Sequence, residues 1–81
     1  MERGELEIME YLIIVERSET GTYGAYCPDL PGCVAVGDTI EETLQLMKDA
    51  IPFHIRGLIE DGLEVPAPSS MAEYIEYEEA S

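Results

Sequence analysis

Apolar side chains run without a break from Tyr11 to Val15, and Glu16-Arg17 and the polar turn Ser18-Glu-Thr-Gly21 end the run. In a strand, Tyr11, Ile13 and Val15 share one face while Leu12 and Ile14 share the other. Both faces are therefore apolar, the pattern of a strand covered on two sides. Residues 9–15 read as the first strand and residues 22–27 as the second, joined by the glycine turn as an antiparallel hairpin. Gly24 predicts a bulge or a close backbone approach. Residues 33–36 form a third, short strand. From Ile40 to about Asp61 the period becomes helical: Ile40, Leu44, Met47, Ile51, Ile55 and Leu58 make one stripe, with Glu42, Gln45, Asp49, Arg56 and Glu60 opposite. Gly62 stands where a left-handed residue ends such a helix. Pro52 predicts a kink near residues 48–51, or two shorter helices meeting there. A second line, Leu46, Ala50, Phe53 and Gly57, lies off the main stripe; it either packs under the C-terminal segment or faces another chain. Residues 63–70 are a Pro-rich connector. Tyr74-Ile75-Glu76-Tyr77 alternates as a fourth strand would, with a short helix as the alternative.

The expected fold class is α+β: a small antiparallel meander in the order β-β-β-α-β, with one long helix on one face. Residues 1–8 read as an N-terminal extension, with Met9 as an alternative start, residues 9–78 as one domain and residues 79–81 as a frayed end. One helix covers one face of a sheet, yet the first strand is apolar on both. Several hundred Å² of exposed apolar surface is rare on a monomer, so the pattern predicts a dimer or higher homo-oligomer. Tyr11, Ile13 and Val15 on the sheet, and Leu46, Ala50 and Phe53 with Glu41 and Asp49 on the helix, are the candidate partner or oligomer contacts.

Residues 27–42 hold the densest set of local instructions. Pro28 and Pro31 fix their own φ and push the residue before each toward extended geometry; Gly32 supplies a tight turn before Cys33. Gly37 and Asp38 close the third strand. Thr39 precedes Glu42 by three residues, the capping-box spacing at a helix start. Asp29 and Asp38 are read as turn and cap residues that bond local amides rather than as catalytic acids.

Charge changes the picture more than composition does. Eighteen acidic and four basic residues give a formal charge of −14 over 81 residues. Such a surface repels nucleic acid and anionic membranes and attracts a basic partner. No apolar run reaches the ~20 residues that span a bilayer, and the acidic N-terminus lacks the features of a signal peptide; a cytoplasmic location is expected. Cys27 and Cys33 cannot complete a zinc site, His54 lies far along the helix, and both thiols read as small strand residues. No nucleophile stands beside a positioned base and no phosphate-binding glycine loop occurs, so no catalytic residue, metal or cofactor is expected. The sharpest enzymatic alternative is an acidic metal-dependent nuclease, since clustered carboxylates hold Mg²⁺.

The run from Cys27 to Glu42, with Glu60-Asp61-Gly62 and Pro66-Ala-Pro68 further on, closely resembles the HicB-like antitoxin family, over residues 9–68. That resemblance implies a two-layer fold like that of a double-stranded-RNA-binding domain or a degraded nuclease. It also implies a non-enzymatic antitoxin of a type II toxin–antitoxin system, which binds a small basic mRNA-cleaving toxin and covers its active site. Full-length members carry a C-terminal DNA-binding domain; the chain ends at Ser81, so direct nucleic-acid binding is not expected. A stand-alone oligomeric module, small-molecule-binding or structural, is the other reading.

Overall fold

The computed structural model describes residues 8–80. Residues 1–7 of the expected extension and Ser81 of the expected frayed end lie outside them. Four elements follow in order: β1 (Ile14–Arg17), β2 (Tyr23–Tyr26), β3 (Val34–Gly37) and α1 (Ile40–Glu60). The strands form one antiparallel sheet in the order β1-β2-β3.

The β1–β2 hairpin is set by its loop. Gly21 N–H donates to the Ser18 carbonyl at 3.2 Å, and Ser18 N–H donates to the Thr22 carbonyl at 2.8 Å. Gly21 has φ +93, the left-handed residue that a three-residue hairpin loop requires. This closure carries the ladder on through Glu16 and Arg17, which pair with Gly24 and Tyr23. The strand therefore starts later than the apolar run and includes the charged pair expected to end it. Gly24 pairs in regular register with Glu16 and Val36, and a Cβ there would meet nothing within 4 Å. Neither the bulge nor the close approach expected at Gly24 is present.

Helix α1 is continuous, so the two-helix alternative at Pro52 does not hold. Pro52 has no N–H to give the Lys48 carbonyl, one missing bond in an otherwise intact ladder. The helix begins at Thr39, whose Oγ1 accepts from Glu42 N–H at 3.0 Å, while Glu42 Oε1 accepts from Asp38 N–H at 2.6 Å. The return bond thus reaches one residue further back than the standard box. At the other end Gly62, φ +73, donates to Ile59, and Leu63 N–H donates to Leu58 at 2.9 Å, the paired bonds of a Schellman stop.

The core is small: Ala25, Cys27, Leu30, Cys33 and Met47 are buried, with Tyr11, Ile13, Val15, Ala35, Ala50, Ile51, Ile55 and Leu58 packed around them. The helical stripe differs from expectation in its first turns. Ile40 and Leu44 are exposed, and Thr43 is fully buried instead. Gly37 explains this, because a Cβ there would stand 2.6 Å from Thr43 Oγ1. Without that Cβ the helix start closes on the end of β3, and Thr43 Oγ1 donates to the Thr39 carbonyl at 2.7 Å. The expected fourth strand at Tyr74-Ile75-Glu76-Tyr77 is not formed, and neither is the alternative short helix: residues 63–80 carry no regular structure. A strand needs a neighbour for its ladder, and among the described residues no strand pairs with this segment.

Candidate functional site

The link between β2 and β3 is two consecutive turns. Leu30 N–H donates to the Cys27 carbonyl at 3.1 Å and Cys33 N–H to the Leu30 carbonyl at 3.0 Å. Pro28 and Pro31 each occupy the second position of a turn, where their fixed φ fits, and Gly32 takes φ +89 at the third position of the second turn. The shared residue, Leu30, is thereby driven into the core and is completely buried.

Asp29 projects from the first turn and receives four hydrogen bonds. Ser69 and Ser70 donate their N–H groups to Oδ2 at 3.0 Å each, and their hydroxyls donate to Oδ1 at 3.0 and 2.8 Å. The amides of Ser69 and then Ser70 hold the Asp29 carboxyl down at about 2, against an ordinary 3.8. A structural role was expected for Asp29, but with local amides; its partners lie 40 and 41 residues away. Tyr11 adds a second tie, its hydroxyl donating to the Pro66 carbonyl at 2.6 Å. Burial, with smaller effects from Cys27 and Asp29, raises the Tyr11 phenol. The connector at residues 66–70 is thus clasped to the sheet body.

The two cysteines are free and buried. Burial first, and Cys27 second, raise the Cys33 thiol, which disfavours the reactive thiolate. His54 is half-buried, with its Cε1 3.6 Å from where a Cβ on Gly32 would stand. Among the described residues no three His, Cys, Asp or Glu side chains converge as metal ligands, so the nuclease alternative gains no support from the geometry.

Two surfaces leave apolar side chains exposed. On α1, Leu46 is 41% and Phe53 77% exposed. Helical spacing sets them beside Glu42 and Asp49, at i+4 and i+3 intervals on one outward face. Glu41 is also exposed, whereas Ala50 packs on the core and Gly57 is half-buried. The off-axis line therefore reduces to an apolar pair in an acidic surround. The second surface is the outer face of the sheet. The register aligns Ile14, Tyr26 and Val34, then Glu16, Gly24 and Val36, on the side away from the core; Val34 and Val36 are 62% and 66% exposed. Tyr11, Ile13 and Val15, expected at a contact, instead pack on the chain's own core. Tyr26, Val34 and Val36 escaped the sequence reading, although period-two alternation along β3 signals them. Ser69 and Ser70 escaped it too, although they follow directly on Pro66-Ala-Pro68. An open groove of about 480 Å³ lies between Met9, Tyr11, Ile51, Ile55, Ile59 and Val65.

The family described as the HicB-like antitoxin of a bacterial toxin–antitoxin system matches residues 11–81, most of the chain. The chain belongs to the HicB-like antitoxin family. Relatives within and around it include a 14.9 kDa protein of the rep-hol intergenic region of Haemophilus phage HP1, 42% identical over 67 residues, or 83% of this chain and 50% of that protein. Antitoxin HicB 2 of Photorhabdus laumondii is 37% identical over 65 residues, 80% of this chain and 46% of its own length. A UPF0150 protein of Synechocystis is 40% identical over 60 residues, 74% of this chain and 76% of that one. The chain thus spans about half of the phage and Photorhabdus proteins and most of the Synechocystis one. The crystal structure of the N-terminal domain of Burkholderia pseudomallei antitoxin HicB superposes with a TM-score of 0.63 at 34% identity, covering 73% of this chain and 69% of that domain. The HicB-like fold is therefore the three-stranded sheet and long helix described above. Among the described residues no helix is long and apolar enough to cross a membrane.

Proposed function

We infer that this HicB-like chain is a non-enzymatic protein-binding module of a toxin–antitoxin system. It neutralises a small basic mRNA-cleaving toxin by covering the toxin's active site, and no bond is made or broken on the antitoxin. The observation that carries this reading is the outward face of α1, where exposed Leu46 and Phe53 sit among Glu41, Glu42 and Asp49. An apolar pair supplies the buried centre of an interface, and the surrounding carboxylates steer a cationic partner and compete with RNA for it. A formal charge of −14 extends that steering over the whole surface. Self-association belongs to the same reading, supported by the uncovered outer face at Ile14, Tyr26, Val34 and Val36.

The test is capture of partners from the native host at low salt, followed by an RNA-cleavage assay on the captured protein with and without this chain. A small basic ribonuclease, released by salt and silenced at stoichiometric antitoxin, is the expected result. Phe53→Asp should lose both capture and inhibition while keeping the wild-type melting temperature. A captured protein whose cleavage is indifferent to the antitoxin would overturn the reading. The groove near Tyr11 favours a second reading, a small-molecule site, since its volume falls within the ~300–1,000 Å³ of ligand pockets.

A further inference from the structure

The last described residues carry a strand-like sequence that joins no sheet, and the rim strand β1 pairs on one side only. After Ser70 the backbone runs free: Met71, Tyr74, Ile75 and Tyr77 are 86%, 99%, 86% and 78% exposed. The hydrogen bond recorded there joins Tyr77 to Glu79, within the segment itself. Solvated tails are poor in aromatic and β-branched residues, whereas this one alternates them as strands do. The described chain is correspondingly long, with a Cα radius of gyration of 16.3 Å against ~12 Å for a compact domain of this size.

The root of the segment is fixed. Asp29 holds Ser69 and Ser70, and Tyr11 holds Pro66, so residues 71–80 leave the body from a defined place, at the Asp29 turn just past the tie to the lead into β1. That strand is the rim of the sheet. Proteins blunt such rims with charge, proline or bulges. β1 carries charge only in its second half, at Glu16 and Arg17, and the apolar run from Tyr11 to Val15 that leads into it has none of these and reads as an interior strand. The other rim, β3, is as short as β1, four residues, but it is confined between the Cys33 turn and Gly37, whereas β1 follows directly on the apolar run from Tyr11.

We propose that residues 71–78 form an exchange arm that adds as a strand to the free edge of β1 in a second copy of this chain. Donor and acceptor lie on one polypeptide, so reciprocal exchange closes as a two-fold dimer and leaves no arm over. Arg17, at the end of β1, is the cation that strand offers to the arm's glutamates. The four tyrosines of two arms bring roughly 600–1,000 Å² of burial at ~150–250 Å² each, most of the ~1,200 Å² that a stable interface needs. The inference rests on the self-association reading and assigns it a segment.

The experiment uses full-length chains. Sedimentation should give about twice the 9.0 kDa chain mass, and Ile75→Pro, which deletes a ladder donor, should weaken the dimer on the order of tenfold or more. In a mixture of two differently tagged chains, one with Ile75→Cys and the other with Leu12→Cys, Ile14→Cys or Glu16→Cys, oxidation should join the two tags, most strongly at one of the three positions. A monomeric wild-type chain would overturn both the arm and self-association. A dimer indifferent to Ile75→Pro would overturn the arm alone and leave association through the outer sheet face. A disulfide closing within a single doubly substituted chain would show the arm pairing with its own sheet and overturn the exchange.

Discussion

Gly32 and Asp29 sit three residues apart in one turn, and their substitutions should fail differently. Gly32 has φ +89, where a side chain costs ~1–2 kcal/mol, and His54 lies over the same spot. Gly32→Val should therefore lower the melting temperature by ~5–15 °C before any partner is lost, as calorimetry would show. Asp29 is a matter of pH. Its folded pKa, about 2, lies below the ordinary 3.8, so its contribution is complete above about pH 4 and disappears as pH falls through about 2. Hydrogen exchange at the Ser69 and Ser70 amides should follow that window in the wild type and lose it in Asp29→Asn. The prolines and Gly32 were legible in the sequence because each dictates its own φ. Asp29's partners were not, because nothing in local periodicity joins residues 40 apart.

At the scale of elements, the glycines of β2 and β3 separate cleanly. Gly24 faces open space, whereas a Cβ on Gly37 would meet Thr43 and Glu42 at 2.6 and 3.0 Å. Gly24→Ala should stabilise the sheet by ~0.5–1 kcal/mol, since a strand glycine carries excess unfolded-state entropy. Gly37→Ala should destabilise it by ~1–3 kcal/mol through overpacking, and paired denaturant titrations would show the opposite signs. Both helix ends could be read from Thr39, Glu42 and Gly62, because caps are local. The buried face of the first helical turns could not. Thr43 displaces Ile40 and Leu44 from the core only because Gly37 permits a close approach, which is a tertiary fact. The strand boundaries shifted for a similar reason: hairpin closure at Ser18 and Thr22, not hydrophobicity, decides where the ladder ends.

For the whole molecule, charge and uncovered surface dominate. Reversing Glu41 and Asp49 to lysine should weaken binding of a basic partner and flatten its dependence on salt; an unchanged salt slope would assign the charge to solubility. Glu42 is best left intact in that variant, since its carboxylate closes the helix cap. The architecture of three strands and a helix could be foreseen from the pattern, whereas the fourth strand expected at residues 74–77 is not formed, because strand propensity does not supply the neighbouring ladder a strand needs. The clasp between Asp29 and Ser69-Ser70 also bears on how the chain folds. The hairpins and the helix close short loops, but the clasp closes one of 40 residues, an ordering that comes after the nucleus has formed. Asp29→Ala should accordingly leave the refolding arm of a chevron plot in place and raise only the unfolding arm, making the clasp a latch that governs how long the native state lasts rather than how fast it is reached.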